Sequence, residues 1–119
     1  MRINSVNQSN CSPEEHQVDT QEVAKYNALS YERAAGLFRA LGDESRLKLL
    51  QYIAHKEACV TEIAQYSGEG LSTVSQRLKL LRFEGLVKRR REGKHLYYSL
   101  TDSHIYNLMQ NALEHVTEK

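Results

Sequence analysis

The chain has 119 residues, 40% of them hydrophobic and 26% charged, with no tryptophan and a formal net charge of +1. That length allows one small domain with an arm and a lean core, so burial shared with a second copy is expected. No stretch approaches the roughly 18 apolar residues of a membrane span, the polar start MRINSVNQSNCSPEEHQ has no signal-peptide core, and two cysteines make no disulfide framework, so a reducing, cytoplasmic setting without a membrane partner is expected.

Residues 1–20 hold Asn, Gln, Ser and the sole proline with almost no apolar periodicity, and read as a flexible arm. Residues 21–119 make up the predicted domain. Helical spacing runs from about Val23 to Leu41, with Ala34, Leu37, Phe38 and Leu41 on one face, and Gly42 ends it. Asp43 is a good N-cap for the next helix, whose inner face is Leu47, Leu50, Ile53 and Ala54. A short helix carrying Val60, Ile63 and Ala64 follows, then the turn SGEG. A longer helix places Leu71, Val74, Leu78 and Leu81 at i, i+3, i+7 and i+10, and Gly85 fits its C-terminal stop. The helical period is then lost. LVKRRREGKHLYYSL reads as two short strands around Glu92 and Gly93, and the last segment, TDSHIYNLMQNALEHVTEK, reads as a final helix. The predicted fold is mainly α with a β-hairpin, in a winged helix-turn-helix layout.

Charge is distributed unevenly. Residues 71–100 contain eight Lys or Arg against two Glu, although the whole chain is nearly neutral. A basic middle points to a polyanion-binding face. On the helix after SGEG, Ser72, Ser75, Gln76 and Lys79 lie opposite the apolar stripe at i, i+3, i+4 and i+7, with Thr73 and Arg77 beside them. Short hydroxyl and amide side chains suit base edges in a major groove, and Arg or Lys reaches guanine or phosphate. Arg89, Arg90, Arg91 and Lys94 sit in the hairpin, suited to the DNA backbone. A polar helix face or a basic edge strand is ordinarily just solvated. It is their combination in this order that points to double-stranded DNA. RNA is disfavoured because no aromatic stacking platform lies on a sheet face.

Four metal-ligand types, Asp102, His104, His115 and Glu118, stand in the last helix. The two histidines are eleven positions apart, roughly 16 Å on a helix, so they cannot share an ion whose ligands lie within about 2.3 Å. Antiparallel packing of the helix on its copy would join Asp102 and His104 of one chain to His115 and Glu118 of the other, giving two symmetric sites. Two imidazoles and two carboxylates favour zinc over a soft ion. Other readings stay open: Asp102 as a helix cap, and His115 with Glu118 as a surface pair.

Over residues 28–119 the chain resembles the ArsR/SmtB family of metal-sensing transcriptional repressors, particularly its zinc-responsive members. The resemblance rests on LFRALGDESRLKLLQYI, on ACVTEIA, on LSTVSQRLKLLRFEGLVKRRREGKHLYYSL and on the D-x-H-x10-H-x2-E pattern of the tail. It implies a homodimer through the first and last helices. It also implies an apo form bound to an imperfect inverted repeat in an operator, and release on metal binding that switches on efflux or sequestration genes. No enzyme activity is implied. It makes Zn2+ the expected effector, with cobalt or cadmium able to bind in vitro. It also implies that a metal-bound His115 donates its free ring N–H to a carbonyl near Gly85. A second site in the family maps onto Cys59 and Glu62, with Cys11 and His16 from the arm. Here the match is looser, because Thr61 stands where arsenic- and cadmium-type members often carry another cysteine. Cys59 as a small core residue is the alternative. At the level of function, the alternatives are a redox-responsive or metal-independent repressor of the same family, or a purely structural zinc site.

Overall fold

In the computed structural model, residues 20–118 are described, and the chain divides into two compact units, residues 1–31 and 32–119. Cys11 and His16 lie outside the described residues.

In the first unit α1 spans Thr20–Val23 and α2 (Ala28–Leu41) begins; from Glu32 onward α2 belongs to the second unit. The expected continuous helix from Val23 is therefore interrupted. Asn27 is the cause: its Oδ1 accepts from Ser30 N at 2.8 Å and from Ser30 Oγ at 3.0 Å. A side chain that caps a helix start stabilises a new N-terminus there.

In the second unit the helices and the hairpin follow the predicted order. Helix α3 (Glu44–His55) starts at Asp43, whose carboxylate accepts from Arg46 N at 3.0 Å. The two-residue strand β1 (Ala58–Cys59) comes next, then α4 (Val60–Ser67), closed by Gly68 at φ 75. Helix α5 (Leu71–Phe83) ends where Gly85 takes φ 82. Leu86 N bonds back to Leu81 O and Gly85 N to Arg82 O. This is the paired closure that a left-handed glycine permits. Strands β2 (Val87–Glu92) and β3 (His95–Leu100) form the hairpin, and α6 (Ser103–Thr117) closes the fold.

The sheet is antiparallel in the order β1-β3-β2. Strand β1 was not foreseen, since two residues offer no alternation to read. The hairpin loop is Gly93–Lys94, one residue later than expected, because Glu92 pairs with His95. Gly93 takes φ 63 at the first loop position, as a two-residue hairpin turn of the II′ pattern requires.

Leu50, Ile63, Val74, Leu78, Leu81, Leu86 and Met109 are almost fully buried and join α3, α4, α5, the sheet and α6 into one core. No charged side chain is buried among the described residues. Three expected core positions differ: Ala34, Phe38 and Leu71 are exposed, the last two at 57% and 56%. Leu71 is the first residue of α5. Phe38 and Ala34 face away from the core of their own protomer. Leu49, passed over in the sequence, is buried instead.

Candidate functional site

Helices α4 and α5 with the Gly68–Gly70 turn make a helix-turn-helix, and β2–β3 makes the wing. Docking of Val74, Leu78 and Leu81 into the core turns the opposite face of α5 outward. Ser72, Thr73, Ser75, Gln76 and Lys79 are exposed on it. Arg77 is mostly buried, with 23% of its side chain exposed, and is turned onto Glu69 in the turn before the helix, as an ion pair. That carboxylate raises its pKa above the ordinary arginine value. With Ser45, Lys48, Tyr66 and Glu69 it lines an open cleft of about 460 Å3 between α3 and α4. Arg77 thus braces the start of α5, whereas Lys79 is exposed on this face without a carboxylate partner among the described residues.

The wing sorts its arginines by strand alternation. Arg89 pairs with Tyr98 and Arg91 with Leu96, so both lie on the face of those side chains; Arg90 pairs with Tyr97 on the opposite face. All three arginines and Lys94 are exposed. Arg90 is internally engaged: Glu57 and Glu92 hold its guanidinium, which keeps its pKa well above the ordinary arginine value. No sequence signal paired Arg90 with Glu57, because 33 positions separate them.

The tail ligands separate into two groups. Asp102 is the N-cap of α6, accepting from Ile105 N at 3.2 Å, and its Oδ2 lies 3.6 Å from His104 Nδ1. Its capping role, one of the open readings, is therefore realised, and the carboxylate keeps its second oxygen toward His104. His104 is almost wholly exposed, at 87% of its side chain. His115 is exposed in the last turn. Glu118 lies just beyond the helix in extended backbone, so it does not continue the helical stripe of His104 and His115. Among the described residues of one protomer, no three His, Cys, Asp or Glu side chains come together as a metal site. Beside this stripe, Ile105 and Met109 are buried, whereas Leu108, Ala112, Leu113 and Val116 remain exposed. Phe38, Leu41, Leu47, Leu108, Met109 and Ala112 line an apolar groove of about 240 Å3 between the end of α2 and α6.

Cys59 and Glu62 occupy the N-cap and third positions of α4. The Glu62 carboxylate accepts from Cys59 N at 3.0 Å, which closes the helix start and holds its pKa below the ordinary carboxyl value. Lys56 Nζ stands 3.8 Å from the same carboxylate. These two candidate ligands are brought together, with a local structural duty already assigned to Glu62.

One further contact was invisible in the sequence. The Thr101 hydroxyl donates to Gly85 O at 2.8 Å, and Thr101 N donates to Leu86 O at 3.0 Å. The residue before Asp102 is thereby tied to the C-terminal end of α5.

A helix-turn-helix with a basic wing and a polar outer face defines a winged-helix DNA-binding regulator. Residues 43–89 match the family described as bacterial regulatory protein, arsR family. A transcriptional repressor SmtB homolog of Synechocystis sp. is 41% identical over 87 residues, which cover 73% of this chain and 66% of that protein. A cadmium resistance transcriptional regulatory protein CadC homolog of Staphylococcus aureus is 35% identical over 99 residues, covering 82% and 79%. Among solved structures, a homodimeric winged helix-turn-helix DNA-binding domain from Mycobacterium bovis, a possible ArsR-family regulator, superposes with a TM-score of 0.71 at 30% identity, covering 87% and 93%. The chain belongs to the ArsR/SmtB family of bacterial transcriptional regulators. Its matched relatives are regulators rather than enzymes. No helix among the described residues is long and apolar enough to cross a membrane.

Proposed function

We propose that the chain is a zinc-responsive repressor. Two copies pair through α2 and α6, the apo dimer holds an operator with an imperfect inverted repeat, and zinc lowers that affinity to release efflux or sequestration genes. The observation that carries this is the division of ligands along α6. Asp102 with His104, and His115 with Glu118, stand exposed at opposite ends, beside an apolar strip that their own protomer leaves uncovered. An antiparallel copy would cover the strip and unite each pair with its complement. The donor set, two imidazoles and two carboxylates, suits zinc. Bound there, Zn2+ would supply a fixed tie between the two tails.

The remaining steps belong to the protein. Ser72, Thr73, Ser75, Gln76 and Lys79 read the major groove, while Arg89, Arg91 and Lys94 contact phosphate. A ligated His115 has a ring N–H left to donate. The carbonyl of Gly85, which already accepts the Thr101 hydroxyl at 2.8 Å, stands at the end of the reading helix with a second lone pair free. A donor arriving there would bias the position of α5. A small rotation suffices to take one head out of register, since half-sites lie about one helical turn apart. Cys59 and Glu62, with Cys11 and His16, form the second proposed ligand set; two thiolates with N and O donors suit zinc or cadmium.

The test is a titration of an operator duplex with and without Zn2+. Zinc should weaken wild-type binding by at least tenfold, equivalent to about 1.4 kcal/mol of coupling. An unchanged affinity removes the sensing claim. His115→Gln should bind DNA as well as wild type and lose the zinc response. Chelation separates a sensor from a structural site: a sensor's apo form stays folded, dimeric and DNA-bound.

A further inference from the structure

The wing projects where the core ends. Along β2 only Val87 is buried, and residues 88–92 are exposed. A two-stranded ribbon without apolar cover is marginally stable in water. Something other than the core must therefore hold its outer half, if its basic side chains are to meet a duplex at a defined angle.

Arg90 has the geometry to do so. Its Nε donates to Glu57 Oε2 at 2.9 Å and Oε1 at 3.1 Å, and its Nη2 donates to Glu57 Oε1 at 2.9 Å. Nη1 donates to Glu92 Oε1 at 3.0 Å. The guanidinium lies 5.0 Å from the centre of the Tyr97 ring. Because the sheet order is β1-β3-β2 and Glu57 immediately precedes β1, the side chain crosses the middle strand to reach the far edge. One residue thus joins the wing strand, its neighbour and the segment leaving α3. Two-point pairing fixes orientation as well as distance, which a lysine cannot do. Arg89, Arg91 and Lys94, by contrast, have no carboxylate partner among the described residues.

We propose that Arg90 is a strut and not a phosphate contact: its pairing with Glu57 sets the angle of the wing, and Arg89, Arg91 and Lys94 reach DNA from that angle. The inference rests on the DNA-reading assignment above and adds a positioning pair to it. The alternative, Arg90 as one more phosphate contact, predicts the opposite sign at Glu57. Removing an acid beside a DNA-binding surface strengthens attraction to phosphate, whereas removing the anchor of a strut weakens binding.

The experiment uses the full chain and a duplex selected from a random pool by the wild-type protein, with affinity measured across a series of salt concentrations. Glu57→Ala and Arg90→Lys should each weaken binding by about three- to tenfold, and the double variant by no more than either single, because the pair acts as a unit. The slope of log affinity against log salt should stay at the wild-type value, since no phosphate contact is lost. Thermal unfolding of each variant, with binding measured well below the transition, keeps loss of fold from imitating loss of the strut. If Glu57→Ala binds as tightly as wild type or tighter, if Arg90→Lys keeps full affinity, or if Arg90→Gln lowers the slope by about 0.9, the strut is overturned while DNA reading stands. A wild-type protein that selects no duplex overturns both.

Discussion

Single residues decide where each helix begins and ends. Asp43, Asn27 and Asp102 each accept a backbone N–H three positions on, the pattern expected of short acceptor side chains at a helix start. Asp43→Ala should cost about 1 kcal/mol of unfolding free energy, read from urea transitions at one protein concentration with an unchanged slope. Gly85 is a sharper case. Its φ of 82 lies where a side chain clashes with backbone, so Gly85→Ala should cost roughly 1–2 kcal/mol. A variant as stable as wild type would mean that α5 ends differently. Asp43 and Gly85 were legible because residue type and position in the hydrophobic period agree. Asn27 was not, since the apolar spacing runs through it without a break.

At the scale of elements, α5 shows why two faces of one helix answer different questions. Val74, Leu78 and Leu81 are buried, and Ser72, Ser75, Gln76 and Lys79 are exposed. Leu78→Ala should destabilise by about 2–5 kcal/mol through lost burial and the cavity left behind. Gln76→Ala should leave the unfolding transition where it is and weaken binding to the selected duplex, with a change in base preference at one position. A Gln76→Ala protein with wild-type affinity and preference would remove this side chain from the reading surface. The amphipathic period made this division readable in advance. Other joints had no such signal. Arg46 reaches back from α3 to donate to Ala40 O at 2.7 Å and Arg39 O at 3.1 Å, fixing how α2 ends over α3. Position on the reading helix and in the hairpin makes Arg77 and Arg90 candidate DNA contacts, and the fold gives each a carboxylate partner.

At the scale of the whole molecule, the uncovered apolar surface matters most. Val116 is 73% exposed and Phe38 57%, with Leu108 and Leu113 also open. A patch of this kind marks an interaction surface, and the proposed occupant is a second copy. Val116→Glu and Leu108→Glu together should shift the sedimentation coefficient from dimer to monomer and abolish the zinc response. A double variant that remains dimeric would place the interface elsewhere. The order of the helices from α3 to α6, most of the inner faces of α3, α4 and α5 and the presence of the wing were set by local patterning. Periodicity, caps and glycines act within a few residues, and a sequence displays them directly. The pairing of Arg90 with Glu57, of Arg77 with Glu69 and of Thr101 with Gly85 awaited the tertiary structure. So did the division of α6 into covered and uncovered apolar residues. Each depends on which segments the closing of the core brings into contact, and spacing along a chain carries no record of that.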